Sequence, residues 1–204
     1  MKNIVLTIGR EYGSGGRYIG EKVAERLKIP FYDKELIKKT CEKNGYNYEK
    51  LEQYDEVKRN SILKAMELLN SNNYELVAED DRCQYLIQET IKEIAKQPCV
   101  ILGRSSNTIL KANNNIISIF IYSNDFEFKI KRKMEIEKIS YEETLKKLKH
   151  IDKQRKKYYE DINKNHIWGD KKEYDFCIDS SKLGIEGTIE LIIELYKKAL
   201  NGNN

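Results

Sequence analysis

The feature that most constrains the fold is a glycine-dense turn between a segment that favours a strand and a segment that favours a helix. The apolar run Ile4–Ile8 leads into residues 9–17 (GREYGSGGR), and the helical pattern Gly16–Leu27 follows at once. Glycine adopts positive φ and lets an anion approach the main chain closely. Such a turn directs backbone N–H groups toward the first turn of the helix, where a phosphate binds. The sequence therefore predicts a phosphate-binding loop, although a plain strand-to-helix connection can have the same composition.

The loop departs from the usual ATP-binding pattern, G-x-x-x-x-G-K-[ST], at three positions. With Gly15 aligned to the second glycine, Arg10 replaces the first glycine and Gly16 replaces the lysine, while Arg17 replaces the hydroxyl residue. We expect Arg17 or Arg10 to supply the missing positive charge, and Ser14 is the nearest hydroxyl for a metal ion. The predicted phosphate-binding residues are Arg10, Gly13, Ser14, Gly15, Gly16 and Arg17.

Composition limits the classes of partner. The 204 residues carry a net charge of +4, and 34% of them are charged. This mild excess of positive charge suits a pocket for an anionic ligand at least as well as a nucleic-acid groove. No sustained basic block is present, so we expect no nucleic-acid partner. No segment has the length and apolarity of a membrane span. The start, Met-Lys-Asn followed by a strand pattern, differs from a secretory signal, and we expect a cytoplasmic protein.

The cysteines point to packing rather than to chemistry. None of the four belongs to a C-x-x-C pair or lies near a histidine at ligand spacing, so neither a zinc site nor a disulfide framework is expected. Cys99 and Cys177 fall in predicted strands, and we expect both to be buried.

Strand and helix patterns alternate along most of the chain. The predicted strands are Ile4–Ile8, Pro30–Asp33, Cys99–Leu102, Ile116–Tyr122 and Tyr174–Asp179. Helical patterns cover Gly16–Leu27, residues 125–163 and Gly184–Leu200, and residues 34–96 have the character of a helical insertion. Strands separated by helices pair in parallel through right-handed crossovers. We therefore predict an α/β fold with a five-stranded parallel sheet between helices.

Ligands of such sheets bind beyond the carboxyl ends of the strands. The glycine-dense loop follows the first strand, Asp33 ends the second, and Gly103-Arg104 ends the third. We expect all three to face one cleft. A guanidinium at Arg104 can hold a phosphate with two parallel hydrogen bonds, although a surface arginine paired with a carboxylate has the same pattern. Ser105 and Ser106 are candidates to cap the next helix.

The charged helical region holds further candidates. Asp152 and Arg155 are three residues apart, so they share a helix face. Arg155 on a mobile segment could close over a triphosphate and neutralise charge during transfer. A solvated helix with ordinary ion pairs explains the same pattern. Lys129 and Arg132 have the same spacing and the same two interpretations.

Taken together, these residues resemble the bacterial cytidylate kinase-like family, whose more distant relatives are the true cytidylate kinases. The resemblance covers nearly the whole chain. It is carried by residues 7–17 (TIGREYGSGGR), 29–37 (IPFYDKELI), 100–104 (VILGR), Asp152-x-x-Arg155, 168–170 (WGD) and 174–179 (YDFCID).

The resemblance implies a P-loop NTPase-like three-layer fold in a single domain. The core would comprise residues 1–33, 97–135 and 171–204, with an acceptor-binding insert at 34–96 and a lid at 136–170. It also implies ATP and Mg²⁺ as cofactors, and transfer of the γ-phosphoryl group to a small phosphorylated acceptor such as CMP or dCMP. The expected partners are small-molecule nucleotides.

The resemblance also assigns residue roles. True cytidylate kinases carry Gly-Arg-Asp at the end of the third strand, and this chain has Ser105 where they have the aspartate, so recognition of cytosine is in question. The expected catalytic residues are Arg17, Arg132 and Arg155, and the expected acceptor-binding residues are Asp33, Arg104 and Ser105. The missing loop lysine leaves a second hypothesis open, a nucleotide-binding regulatory protein with the same fold and no catalysis.

Overall fold

Five short apolar segments pair into one parallel sheet in the computed structural model, which describes residues 3–33, 85–112 and 115–202. The strands are β1 Val5–Arg10, β2 Phe31–Tyr32, β3 Cys99–Leu102, β4 Ile116–Tyr122 and β5 Phe176–Asp179. Their order across the sheet is β2-β3-β1-β4-β5. β1 lies in the centre, where Thr7 pairs with Ile101 on one side and with Ser118 on the other. The predicted five-stranded parallel sheet is confirmed.

We label five helices beside the sheet, and three of them begin at a residue whose side chain caps the helix. The five helices are α1 Gly16–Leu27, α2 Ser106–Ile109, α3 Phe126–Glu137, α4 Tyr141–Ile162 and α5 Ser180–Asn201. Ser140 and Glu143 form a capping box at the start of α4, so two backbone donors there are satisfied by side chains. Gly184, with φ of 68°, interrupts the helical conformation inside α5.

The core lies between β1 and the helices α1 and α5. Leu6 and Ile8 of the central strand are fully buried, as are Ile19 of α1 and Ile192 of α5. Burying a side chain of this size stabilises the fold by roughly 1.5–3 kcal/mol relative to leaving it exposed. This packing fixes the start of α1 against the end of β1, and therefore fixes the glycine-dense loop between them.

The chain divides into two units, residues 1–33 with 95–204, and residues 34–94. The predicted insert at 34–96 lies largely outside the described residues, which contain its last part as a helical segment at 85–94. Its acceptor-binding role and the lid role of residues 136–170 stay predictions.

Several details differ from the sequence-based expectations. β1 continues to Arg10 rather than ending at Ile8, β5 begins at Phe176 rather than at Tyr174, and the helical region 125–163 is two helices. A short helical turn from Ser180 precedes the predicted last helix, and the non-helical Gly184 separates the two. The prediction that Cys177 is buried is wrong: the residue is exposed because β5 is an edge strand, whereas Cys99 in β3 is buried. Within the described ranges, no helix is both long enough and apolar enough to cross a membrane.

Candidate functional site

The glycine-dense loop joins β1 to α1 and leaves the start of α1 without a side-chain cap. Gly15 is the N-cap residue, with φ of 85°, and it has no side chain that could accept a hydrogen bond from the amides of the first turn. The first turn of α1 carries no acidic residue. The first amides of a helix have no intrahelical partners, and the helix dipole favours negative charge beside them. The start of α1 therefore has the exposed polarity that favours an anion, and phosphate binding at this loop stays a prediction.

Ser14 stabilises the loop from inside. Its Oγ donates to the carbonyl oxygen of Glu11 at 2.9 Å and accepts from the amide of Gly16 at 3.4 Å. Its own carbonyl oxygen accepts from Oγ of Ser180 in α5 at 2.7 Å. The Ser14 hydroxyl is thus engaged within the loop, which weakens the case for a role in holding a metal ion.

Arg17 is directed to the end of β2. Its Nε and Nη2 donate to Oδ2 of Asp33 at 3.1 Å and 2.7 Å. The Arg17 side chain is 65% exposed and the Asp33 side chain 10% exposed. Two of the expected site residues therefore pair with each other, and the carboxylate holds the Arg17 charge beside the loop.

Arg10 extends away from the start of α1 toward the end of β3. A Cβ on Gly103 would collide with Nη1 of Arg10, so the guanidinium passes directly over this glycine. A Cβ on Gly16 would lie 2.5 Å from Cβ of Arg10. The side chain at position 10 therefore excludes a side chain at position 16. The usual loop pattern has glycine at position 10 and lysine at position 16. Here the arginine at position 10 takes the space that a side chain at position 16 would need, so the two departures depend on each other. We call this dependence the packing exchange between positions 10 and 16.

Beyond Gly103, the guanidinium of Arg10 enters a cavity of about 50 Å³ that we call the arginine cavity. Arg104 and Arg155 also line it. The full set of described residues that line this cavity is Thr7, Gly9, Arg10, Gly103, Arg104, Ser105, Ser106, Asn107, Arg155, Tyr158, Tyr159, Trp168 and Tyr174. The structure thus brings together three arginines that are far apart in the sequence.

The backbone at the mouth of the arginine cavity is strained. Gly103, Arg104 and Ser105 have φ values of 74°, 57° and 54°. For a residue with a Cβ, the left-handed conformation costs roughly 1–2 kcal/mol. Such strain concentrates at functional sites. Ser105 occupies the N-cap position of α2, but its hydroxyl makes no capping hydrogen bond, so the expected capping role is not seen.

Burial and mutual repulsion act on the charges of the arginine cavity. Burial, then the positive charges of Arg155 and Arg104, lower the pKa of Arg10 to about 9. Arg10 is therefore still charged at neutral pH, but the charge is held at a cost in free energy. Burial also lowers the pKa of Arg155, which pairs with Asp152 at 3.2 Å as the three-residue spacing predicts. Burial raises the pKa of Asp152.

Arg132 of α3 lies next to the glycine-dense loop. A Cβ on Gly15 would lie 3.3 Å from Nε of Arg132. Its Cζ is 5.9 Å from the ring centroid of Tyr18 in α1. Burial lowers the pKa of Arg132. Arg132 thus places a guanidinium at the point where the uncapped helix begins.

Tyr12 ties the loop to α3 and α4. Its hydroxyl donates to Oε1 of Glu137 at 2.6 Å, and its ring packs with the buried Ile130 and Leu148. Lys133 and Lys147 each pair with Glu137 at 2.8 Å. We call Tyr12, Lys133, Glu137 and Lys147 the Glu137 cluster. Burial alone would raise the pKa of Glu137, but hydrogen bonds from Lys133, Lys147 and Tyr12 lower it to about 2.

Comparison with known proteins assigns the family. The model of the cytidylate kinase-like family matches residues 5–182. The chain belongs to the cytidylate kinase-like family. An uncharacterized protein from Eubacterium ventriosum ATCC 27560 has a similar structure, with 30% identity, a TM-score of 0.71 and coverage of 95% of this chain and 98% of that one. The search of curated proteins finds no match.

More distant structures share the fold of this cytidylate kinase-like chain. A shikimate kinase from Bacteroides thetaiotaomicron is 13% identical, with a TM-score of 0.52, and the match covers 95% of this chain and 98% of that one. A protein from Thermus thermophilus is 14% identical, with a TM-score of 0.53 and coverage of 99% and 100%. These likenesses confirm the P-loop kinase type of three-layer fold and say nothing about the substrate.

Sequence reasoning missed much of the wall of the arginine cavity in this cytidylate kinase-like chain. Thr7, Tyr158, Trp168 and Tyr174 line it, and none of them is among the site residues expected from the sequence. The rings of Phe120 and Trp168 meet edge to face, with centroids 5.2 Å apart. Two signals were available. Tyrosines 158 and 159, three and four residues beyond Arg155, share a helix face with it. Trp168 and Tyr174 fall within motifs that carry the family resemblance.

Proposed function

We propose that this cytidylate kinase-like chain is a phosphotransferase that moves the γ-phosphoryl group of ATP to a small phosphorylated acceptor. CMP and dCMP are the first candidates. In this step the bond between the γ-phosphorus and its bridging oxygen breaks, a bond to an acceptor oxygen forms, and ADP leaves. The observation that carries the proposal is the uncapped start of α1 behind Gly15, because a helix start of this kind binds phosphate.

On the donor side, the backbone amides of residues 13–17 would hold the phosphates of ATP. Arg132 is our first choice for the cation that the loop lacks, because its Nε lies beside Gly15. Arg17 is the second choice, since Asp33 already engages its guanidinium. Phosphoryl transfer depends mainly on positioning and charge compensation, so an arginine on a neighbouring helix can replace a loop lysine.

The metal requirement follows from the chemistry of the donor. A bound Mg²⁺ would supply positive charge that offsets the negative charge of the phosphates during transfer. The described part of the chain contains no group of three His, Cys, Asp or Glu residues that could hold a metal ion, and the Ser14 hydroxyl is engaged within the loop. We therefore expect Mg²⁺ to be held chiefly by the phosphate oxygens of ATP.

On the acceptor side, Arg104 would hold the acceptor phosphate and Ser105 lies beside it at the strained turn. Arg155 projects from α4 toward the end of β1, where its Nη1 donates to the carbonyl oxygen of Arg10 at 3.3 Å. From this position the Arg155 guanidinium would offset negative charge between the phosphates of the donor and the acceptor. Asp33 would orient the acceptor or a water molecule bound to Mg²⁺.

A second candidate function is nucleotide binding without transfer, in a regulatory role. The observation that favours it is the contact between Arg10 and position 16, which excludes the loop lysine. Such a protein would bind ATP at the glycine-dense loop and show no turnover with any acceptor.

A coupled assay with each nucleoside monophosphate as acceptor tests the proposal. We expect turnover with at least one of them, and a loss of about a thousandfold in turnover for Arg132→Met, which is typical for an arginine that stabilises the transition state. Lys131→Met is the matched control, because Lys131 is an exposed neighbour on the same helix. We expect its turnover to equal that of the unmodified protein.

The assay separates the two candidate functions. ATP binding by calorimetry without turnover would favour the regulatory protein. Turnover that survives Arg132→Met but falls with Arg17→Met would move the donor-side charge to Arg17. No ATP binding at all would contradict both candidates.

A further inference from the structure

Polar atoms without hydrogen-bond partners concentrate in the arginine cavity. Among the described residues, no partner is found for the buried atoms Oγ1 of Thr7, Nε of Arg10 and Oγ of Ser105. All three residues line this cavity, and Thr7 and Ser105 are only 1% and 4% exposed. Leaving a buried polar group without a partner costs about 1–3 kcal/mol. Each of these atoms can donate a hydrogen bond, so the cavity is arranged to receive acceptor atoms.

The charge of the cavity also favours acceptor atoms, because the cavity is lined by three arginines. Arg10, Arg104 and Arg155 come from three different elements, the end of β1, the turn after β3 and α4. No carboxylate of the described residues forms an ion pair with Arg10. The charge of Asp152 raises the pKa of Arg10, but that carboxylate is already paired with Arg155. A buried cation of this kind is stabilised by an anion that supplies several oxygens.

The cavity has room for a compact anion. It measures about 50 Å³, several times the volume of about 10–15 Å³ that one water molecule needs. Three guanidinium groups and two hydroxyl groups offer many more donors than the two oxygens of a carboxylate can accept, and the terminal oxygens of a phosphate group match them better.

We propose that the arginine cavity binds a phosphate-type oxyanion and that Arg10 belongs to this site rather than to the donor loop. The oxyanion is either free inorganic phosphate or the phosphate group of the acceptor. The second source rests on the proposed function, whereas binding itself requires no transfer. Gly103 is part of the site, because a larger residue there would displace the Arg10 guanidinium.

Titration with inorganic phosphate tests the site directly. The full chain is titrated by calorimetry in a buffer without phosphate or sulfate, with and without a saturating non-hydrolysable ATP analogue that occupies the donor loop. We expect saturable binding that persists with the analogue present. Arg10→Met should weaken the binding about tenfold or more, because a charge-assisted hydrogen bond to the anion is lost. Lys153→Met, an exposed neighbour of Arg155 on α4, should leave it unchanged.

A milder variant keeps the test valid if Arg10→Met fails to fold. Thr7→Val has nearly the same shape and removes one unpartnered hydroxyl, so we expect weaker phosphate binding and an intact fold. Phosphate binding that is absent, that is abolished by the ATP analogue, or that is unaffected by both variants would overturn the proposal.

Competition identifies the source of the oxyanion. If CMP displaces phosphate from the cavity, the acceptor phosphate is the physiological occupant. If phosphate binds with the expected variant effects and no monophosphate competes, the cavity is a site for free phosphate. Both results support the site, and the second stands even if the coupled assay detects no transfer.

Discussion

Two charged clusters border the glycine-dense loop, and they are neutralised in different ways. In the Glu137 cluster, one carboxylate receives hydrogen bonds from Lys133, Lys147 and the Tyr12 hydroxyl. In the arginine cavity, Arg10 has no carboxylate partner among the described residues, and two further arginines lie near it. In the Glu137 cluster the carboxylate has its hydrogen-bond partners without a ligand, and these contacts hold α3 against the loop. The arginine cavity is incomplete, which is the usual condition of a binding site and not of a structural contact.

The comparison also explains the altered loop. The usual pattern places a lysine at the start of the helix, on the donor side. Here the positive charge is carried by Arg10 and directed into the cavity, and Cβ of Arg10 takes the space that a side chain at Gly16 would need. A guanidinium from α3, Arg132, lies beside Gly15 instead. The positive charges near the loop therefore lie on Arg10 and Arg132 instead of on a loop lysine.

The largest loss of stability should come from Gly16→Lys, which restores the lysine of the usual loop pattern. Gly16→Lys forces its Cβ to within 2.5 Å of Cβ of Arg10, and both atoms are attached to fixed backbone. We expect a loss of about 3 kcal/mol in the free energy of unfolding, as overpacking in a tight site commonly costs. The double variant Arg10→Gly with Gly16→Lys should recover most of that loss. Urea unfolding of the two single variants and the double variant measures the coupling.

Gly187→Lys controls for the general effect of replacing a helical glycine. In α5 a Cβ at this position would meet nothing nearer than Cβ of Leu183 at 3.4 Å. Lysine there should keep or increase stability, because glycine is a poor helix former. If Gly16→Lys is as stable as the unmodified protein, the packing exchange between positions 10 and 16 is wrong.

How far the sequence predicts these features depends on how local they are. The strand pattern of Cys99–Leu102 and the glycine-dense run up to Gly15 are short-range signals, and both elements form where expected. The direction of the Arg10 side chain depends on its contact with Gly103, 93 residues away, which only the paired strands β1 and β3 bring about. Sequence reasoning therefore found Arg10 and Arg104 but assigned them to different sites. It missed Thr7, a strand residue without any local sign of function.

An intermediate effect should come from the Glu137 cluster. Glu137→Gln removes the charge that accepts from Lys133 and Lys147, and we expect a loss of about 2 kcal/mol at pH 7. The folded-state pKa of Glu137 is about 2, below its ordinary value of 4.5. A depressed carboxyl pKa contributes stability that is fully present above the ordinary value and is lost as the pH falls through the folded value.

The difference between Glu137→Gln and the unmodified protein should therefore be constant above pH 5.5, about one unit above the ordinary value, and should shrink toward pH 2. Urea unfolding over this pH range measures it. Glu135→Gln, an exposed carboxylate on the same helix, is the control and should change stability by less than about 0.5 kcal/mol. A difference that stays constant down to pH 2 would show that packing, and not the charge, explains the effect.

The smallest change in the free energy of unfolding should come from Arg10→Met, and this variant distinguishes the arginine cavity from the Glu137 cluster most clearly. Arg10→Met removes a buried charge that has no carboxylate partner and keeps most of the side-chain volume, so without phosphate we expect the free energy of unfolding to stay equal or rise by about 1 kcal/mol. Added phosphate should then stabilise the unmodified protein much more than the variant, because a ligand stabilises only the fold that binds it. A loss of 2 kcal/mol or more without phosphate would place Arg10 with Glu137, among charges that hold the structure together.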